Sequence, residues 1–110
     1  MDNALAQAAV SGVRGWDAEI HRLRGELTTR LPHPDSAKAE DSFRTALAIA
    51  REQGTRGYEL RAATSLARLW REQGRRGEAR DLLAPLYGWF TEGFETADLK
   101  DAKRLLDELA

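Results

Sequence analysis

Apolar residues recur along this chain at intervals of three and four, and no stretch alternates apolar with polar positions. That spacing lines side chains along one face of an α-helix, so the pattern predicts an all-α protein. Glycines and prolines divide the pattern into six segments joined by short connections, which favour antiparallel neighbours. The predicted helices cover residues 2–12, 16–30, 36–52, 57–73, 77–92 and 97–109.

The apolar faces of these segments predict what each helix buries. In the second segment, Trp16, Ile20, Leu23 and Leu27 form one stripe, which we expect to face the core. The fourth segment has the widest apolar arc and is predicted to be the central helix. In the fifth, Pro85 removes one amide donor and predicts a bend within a continuous helix. The last segment has a single apolar stripe opposite a polar face, as a terminal capping helix would.

One short motif occurs twice, forty positions apart. In both copies, small or apolar residues stand at the first, fifth and eighth places: Ala39, Phe43 and Ala46, then Ala79, Leu83 and Leu86. A repeat of this size is typical of helical hairpins that stack on their neighbours to bury their apolar faces.

The second hairpin resembles a tetratricopeptide repeat. Its matching positions follow the separations of that 34-residue unit without gaps: Ala67, Trp70, Ala79, Leu83 and Leu86. The first hairpin matches if two extra residues lie in the turn that contains Pro32-His33-Pro34. Its matching positions are Gly25, Thr28, Ala39, Phe43 and Ala46.

The resemblance implies one tetratricopeptide-like domain over residues 1–110, a short α-α superhelix. It would consist of an orphan helix at 2–12, hairpins at 16–52 and 57–92, and a capping helix at 97–109. The stretches 61–70, 77–90 and 98–106 also look like the C-terminal tail of large bacterial signalling proteins. Those proteins join a regulatory ATPase, sometimes with a nucleotide-cyclase or DNA-binding domain, to such a tail, which implies a role in signalling or transcriptional regulation.

Composition excludes several classes of function. The 17 Lys and Arg residues are balanced by 18 Asp and Glu, and the net charge of −1 gives no overall attraction to nucleic acid or to anionic membranes. The chain has no cysteine, no apolar run long enough to span a membrane, and no basic and apolar leader at its N-terminus. We therefore expect a soluble, cytoplasmic protein.

No motif points to catalysis or to a cofactor. His21 and His33 lack the spacing of metal ligands, no glycine-rich phosphate loop is present, and no serine lies in a nucleophile elbow. The expectation is a non-enzymatic protein-protein interaction module without metal or cofactor.

A row of polar residues on the fourth segment is the main candidate site. Arg61, Thr64, Arg68 and Arg71 share one helical face, distinct from the apolar face. The resemblance places this face in a concave groove, together with Arg22 at a matching position of the first hairpin. Glu19, Glu26 and Thr29 are the other matching positions, so the groove is expected to be mixed at one end and basic at the other.

Such a groove would suit an extended acidic peptide or a partner's carboxylate, through charge-assisted hydrogen bonds. The alternative is that these arginines are only a solvated surface.

A cluster of aromatic residues near the end of the fifth segment is the second candidate: Tyr87, Trp89 and Phe94. It either packs under the last helix or forms an association surface. The alternative function is therefore structural: a homodimer or larger homo-oligomer that associates through exposed repeat ends. Nucleic-acid binding is disfavoured, because the arginine face has no interleaved aromatic residues.

Overall fold

Five α-helices form in the described part of the chain. The computed structural model describes residues 16–32, 35–90 and 96–109, apart from the side chain of Trp16. The helices are α1 (Trp16–Thr29), α2 (Ser36–Gln53), α3 (Arg56–Glu72), α4 (Arg76–Trp89) and α5 (Ala97–Leu109). These residues contain no strand, which confirms the all-α prediction. The helix predicted at 2–12 lies outside them.

Local chemistry explains where the helices begin and end. Asp35 caps α2, because its carboxylate accepts a hydrogen bond from the Lys38 amide at 3.1 Å. Gly54 ends α2 in the left-handed conformation, with φ of 70°, where a residue without Cβ is favoured. Pro85 lies inside α4, which is one continuous helix as predicted.

The predicted end of α4 at residue 92 is wrong. The helix ends at Trp89, and Phe90 has extended backbone with φ −76° and ψ 133°. The side chain of Phe90 is half-buried against the core, so the residue directly after the end of α4 is held by tertiary packing. Gly93, the predicted stop, lies outside the described residues.

The helices are arranged in two layers. Each helix contacts the next along the chain, and α3 also contacts α1 and α5. As a result α1, α3 and α5 lie side by side in one layer, with α2 and α4 in the other. This order is consistent with stacked helical hairpins.

The core is centred on α3, as the wide apolar arc predicted. Leu60 and Leu66 are almost fully buried, and the first turns of α3 also bury Glu59. Around them pack Phe43 of α2, Leu83 of α4 and Leu109 of α5, each at most 1% exposed. Burying an apolar side chain of this size stabilises a fold by roughly 1.5–3 kcal/mol, so these contacts hold both layers together.

The predicted core stripe of α1 is wrong at two of its residues. Leu23 and Leu27 are 46% and 63% exposed, whereas Ala18 and Gly25 are buried. The reason is steric, since α1 approaches α2 so closely at Gly25 that the ring of Phe43 fills the space of a side chain. Small residues therefore determine which face of α1 is buried, and the leucines face outward.

Candidate functional site: a groove across α1, α3 and α5

The five residues predicted to bind a partner come together in the structure. Arg61, Thr64, Arg68 and Arg71 project from one face of α3, and Arg22 reaches the same depression from α1. Residues of α5 close the opposite side, among them Asp98, Asp101 and Glu108. We call this surface the α3 groove.

Carboxylates from the flanking helices enter the α3 groove. Arg61 lies 2.8 Å from Asp98 of α5 and 3.3 Å from Glu19 of α1. Arg71 is ion-paired with Glu108 of α5. The end that was expected to be basic is therefore mixed as well, because a comparison of α3 with α1 alone leaves out the carboxylates that α5 contributes.

Glu19 is the most buried charge of the groove, at 7% exposure. Both of its oxygens accept hydrogen bonds from Arg22, at 2.7 and 3.0 Å. Burial alone would raise the pKa of Glu19, but the hydrogen bonds and charges of Arg22 and Arg61 outweigh it and lower that pKa. The buried carboxylate stays ionised and ties α1 to α3.

Arg68 differs from the other arginines of the groove. Its nearest carboxylate oxygen, on Glu26, is 4.0 Å away, and it makes no hydrogen bond in the described part of the chain. It lines four depressions along this surface, with its side chain 42% exposed. Of the four predicted arginines Arg22, Arg61, Arg68 and Arg71, Arg68 has the most unused hydrogen-bonding capacity among the described residues.

The hydroxyl groups beside Arg68 are unequal. Thr64 donates to the carbonyl oxygen of Leu60 at 2.8 Å, so the hydroxyl of this predicted site residue is already engaged. Ser65 is 4% exposed, lines two of the depressions with Arg68, and has no hydrogen bond among the described residues. The prediction omitted Ser65, although its position three residues before Arg68 was a visible signal.

The three aromatic candidates do not form one exposed surface among the described residues. Trp89 is 55% exposed, with the guanidinium of Arg56 at 4.9 Å from its ring centre and the ring of Phe90 edge-on at 5.2 Å. Tyr87 is half-buried against the core, and Phe94 lies outside the described residues. Among the three, Trp89 alone is seen to present its ring to solvent.

The described residues hold no group of His, Asp and Glu side chains that could bind a metal ion. The pKa of His21 is lowered, mainly because the ring is partly buried and also because of the positive charge of Arg24. Over the same residues, no helix is long and apolar enough to cross a membrane.

No protein-family model matches the chain, and no curated protein or solved structure matches it either. The tetratricopeptide-like relationship therefore remains a resemblance of residue pattern, and any function must be argued from the groove.

Proposed function

We propose that this protein is a non-enzymatic interaction module that binds an acidic segment of a partner protein in the α3 groove. The resemblance to regulatory tails favours a role in signalling. The observation that carries the proposal is Arg68, a half-exposed guanidinium at the centre of a concave surface that makes no hydrogen bond to any described residue.

The shape of the groove favours a chain segment as ligand. The depression beside Arg61 and Arg68 has a volume of about 210 Å³, and most of its lining is polar. Sites for small molecules are usually about 300–1,000 Å³ and mostly apolar. The depression at Arg71 is likewise about 210 Å³ and polar, whereas the two on the α1 side are about 340 and 430 Å³ and about half apolar. The two small polar depressions along α3 suit side chains that follow one another along a peptide.

The charges of the groove limit which part of it attracts an acidic residue. A carboxylate arriving at Arg61 or Arg71 would have to compete with Asp98 or Glu108, which are already in place. At Arg68 it could accept two parallel hydrogen bonds from the guanidinium and one from the Ser65 hydroxyl. Charge-assisted hydrogen bonds contribute about 1.5–3 kcal/mol each, so Arg68 is expected to provide much of the affinity.

Selection from a random library of dodecapeptides tests the proposal. The wild-type protein should retain peptides enriched in Asp and Glu. For a retained peptide, fluorescence polarisation should show affinity at least about tenfold weaker for Arg68→Gln, which removes the charge but keeps a polar side chain. The matched control is Lys38→Glu on α2, away from the groove, which should bind as the wild type does.

Two results would reject the proposal. One is a set of retained peptides without acidic enrichment, and the other is equal affinity of Arg68→Gln and the wild type. Circular dichroism of both variants checks that the helices are intact.

A further inference from the structure

A depression on the α1 side of the groove combines exposed leucines with arginines. Its volume is about 430 Å³, and about half of its surface is apolar. Leu23 and Leu27 of α1 are the apolar residues in its described lining, and both are exposed. Arg68 lines this depression and also the polar one beside Arg61. The two leucines and the α3 groove therefore belong to one continuous surface. We call this part of it the leucine depression.

The charged residues of the leucine depression are mostly cations. Arg22, Arg30 and Arg68 line it, with Glu26 as the one carboxylate of its described lining. Arg22 is engaged by Glu19, but the side chain of Arg30, like that of Arg68, makes no hydrogen bond to any described residue. A purely apolar ligand would cover these guanidinium groups without giving them a partner, which is unfavourable. The depression therefore suits an apolar side chain that has acidic neighbours.

We propose that the acidic segment of the partner also carries a large apolar residue, which packs on Leu23 and Leu27 while an acid of the segment binds Arg68. This inference rests on the proposed function, because it takes the segment to lie in the α3 groove, and it adds a second requirement for recognition. Neighbouring packed helices are about 8–10 Å apart, and an extended chain rises about 3.3 Å per residue. The apolar residue is therefore expected within about three residues of the acid.

The dodecapeptide selection, repeated with two protein variants, tests the inference. Peptides retained by the wild type should carry a large apolar residue close to an acid more often than the unselected library does. Leu23→Gln combined with Leu27→Gln should still retain acidic peptides, but without the apolar enrichment. Leu31→Gln is the matched control, because Leu31 is also exposed, at 54%, and lines none of the four depressions that Arg68 lines. It should retain the same peptides as the wild type.

A single retained peptide gives a quantitative measurement. Replacing its apolar residue by alanine should weaken binding to the wild type by about fivefold or more, as for the loss of a partly buried leucine-sized side chain. The same replacement should change little for the double leucine variant, in which the contact is already lost. Fluorescence polarisation measures both affinities, and circular dichroism checks that the helices of the variant are intact. The measurement on the wild type does not depend on any variant.

The possible results distinguish this inference from the proposed function. Acidic enrichment without apolar enrichment would overturn the inference alone, and so would apolar enrichment that the double leucine variant keeps. Loss of the acidic enrichment itself would reject both. Light scattering identifies the other possible occupant, because a wild-type dimer that the double leucine variant converts to a monomer would show that a second copy covers the leucines. That result would also overturn the inference.

Discussion

Gly25 of α1 lies directly against the ring of Phe43 in α2. A Cβ atom at Gly25 would be 2.6 Å from Cε1 and 2.8 Å from Cδ1 of that ring, closer than Cβ contacts occur. The contact decides which face of α1 is buried, so it connects one glycine to the position of a whole helix.

Gly25→Ala should therefore destabilise the fold. Overpacking of this kind costs about 1–3 kcal/mol, and the better helix propensity of alanine recovers up to about 1 kcal/mol. Urea unfolding followed by circular dichroism measures the difference. Gly77→Ala in α4 is the control, because no atom lies within 4 Å of its added Cβ, and it should be neutral or stabilising.

Combining Gly25→Ala with Phe43→Leu tests the cause. Leucine lacks the ring atoms that clash, so the cost of Gly25→Ala should be smaller in that background. Equal costs in the two backgrounds would contradict the steric explanation.

Trp70 joins α3 to α2 through Glu40. Its indole nitrogen donates to Glu40 at 3.0 Å, and the guanidinium groups of Arg75 and Arg44 lie 4.7 and 5.3 Å from its ring centre. Trp70→Phe removes the donor and part of the ring, with an expected loss of about 1–3 kcal/mol in unfolding free energy. Trp89→Phe, on an exposed tryptophan, should cost at most about 1 kcal/mol. Similar losses in both variants would refute the role of the Glu40 contact.

Acid should weaken the contacts between helices. The hydrogen bond from Trp70 is the main cause that lowers the pKa of Glu40, and arginines lower that of Glu19 against its burial. A carboxyl whose pKa is lower in the folded state stabilises fully above its unfolded pKa, roughly 4.3. Stability should therefore fall as the pH decreases from about 5 through the lowered folded values.

Urea unfolding at a series of pH values measures this loss. Glu19→Gln and Glu40→Gln should each make the acid side of the profile less steep, because one titrating carboxyl is gone. If the acid side of the profile is as steep in both variants as in the wild type, other carboxyls cause the loss of stability in acid.

The C-terminal end of α5 is held by arginines of α4. Arg76 donates to the carbonyl oxygen of Glu108, and Arg80 donates to that of Leu109 at 2.6 Å. The last carbonyls of a helix have no partner within it, and cations near them stabilise by about 0.3–1 kcal/mol each. Combined Arg76→Gln and Arg80→Gln substitutions should speed amide hydrogen exchange in the last turn of α5.

Lys103→Gln is the control for that experiment. It removes an ion pair with Asp107 that lies within α5 and is exposed, so the exchange rates should change little. Unchanged exchange in the double arginine variant would show that the α4 contacts do not hold the helix end.

Much of the secondary structure could be predicted because it depends on neighbours in sequence. Asp35 and Gly54 mark the two ends of α2 through hydrogen bonds and backbone angles within a few residues. The shared face of Arg61, Arg68 and Arg71 follows in the same way from 3.6 residues per turn. These features required no knowledge of how the helices meet.

The sequence by itself determined the five described helices to within three residues at each end, the central position of α3 and which arginines of α3 share a face. Only the tertiary structure decided that Leu23 faces outward, that Asp98 and Glu108 neutralise arginines, and that Arg68 makes no hydrogen bond within the described part of the chain. The physical reason is that contacts between helices depend on their separation and register. A close approach at Gly25 sets both for α1, and the spacing of residues within one helix does not encode it.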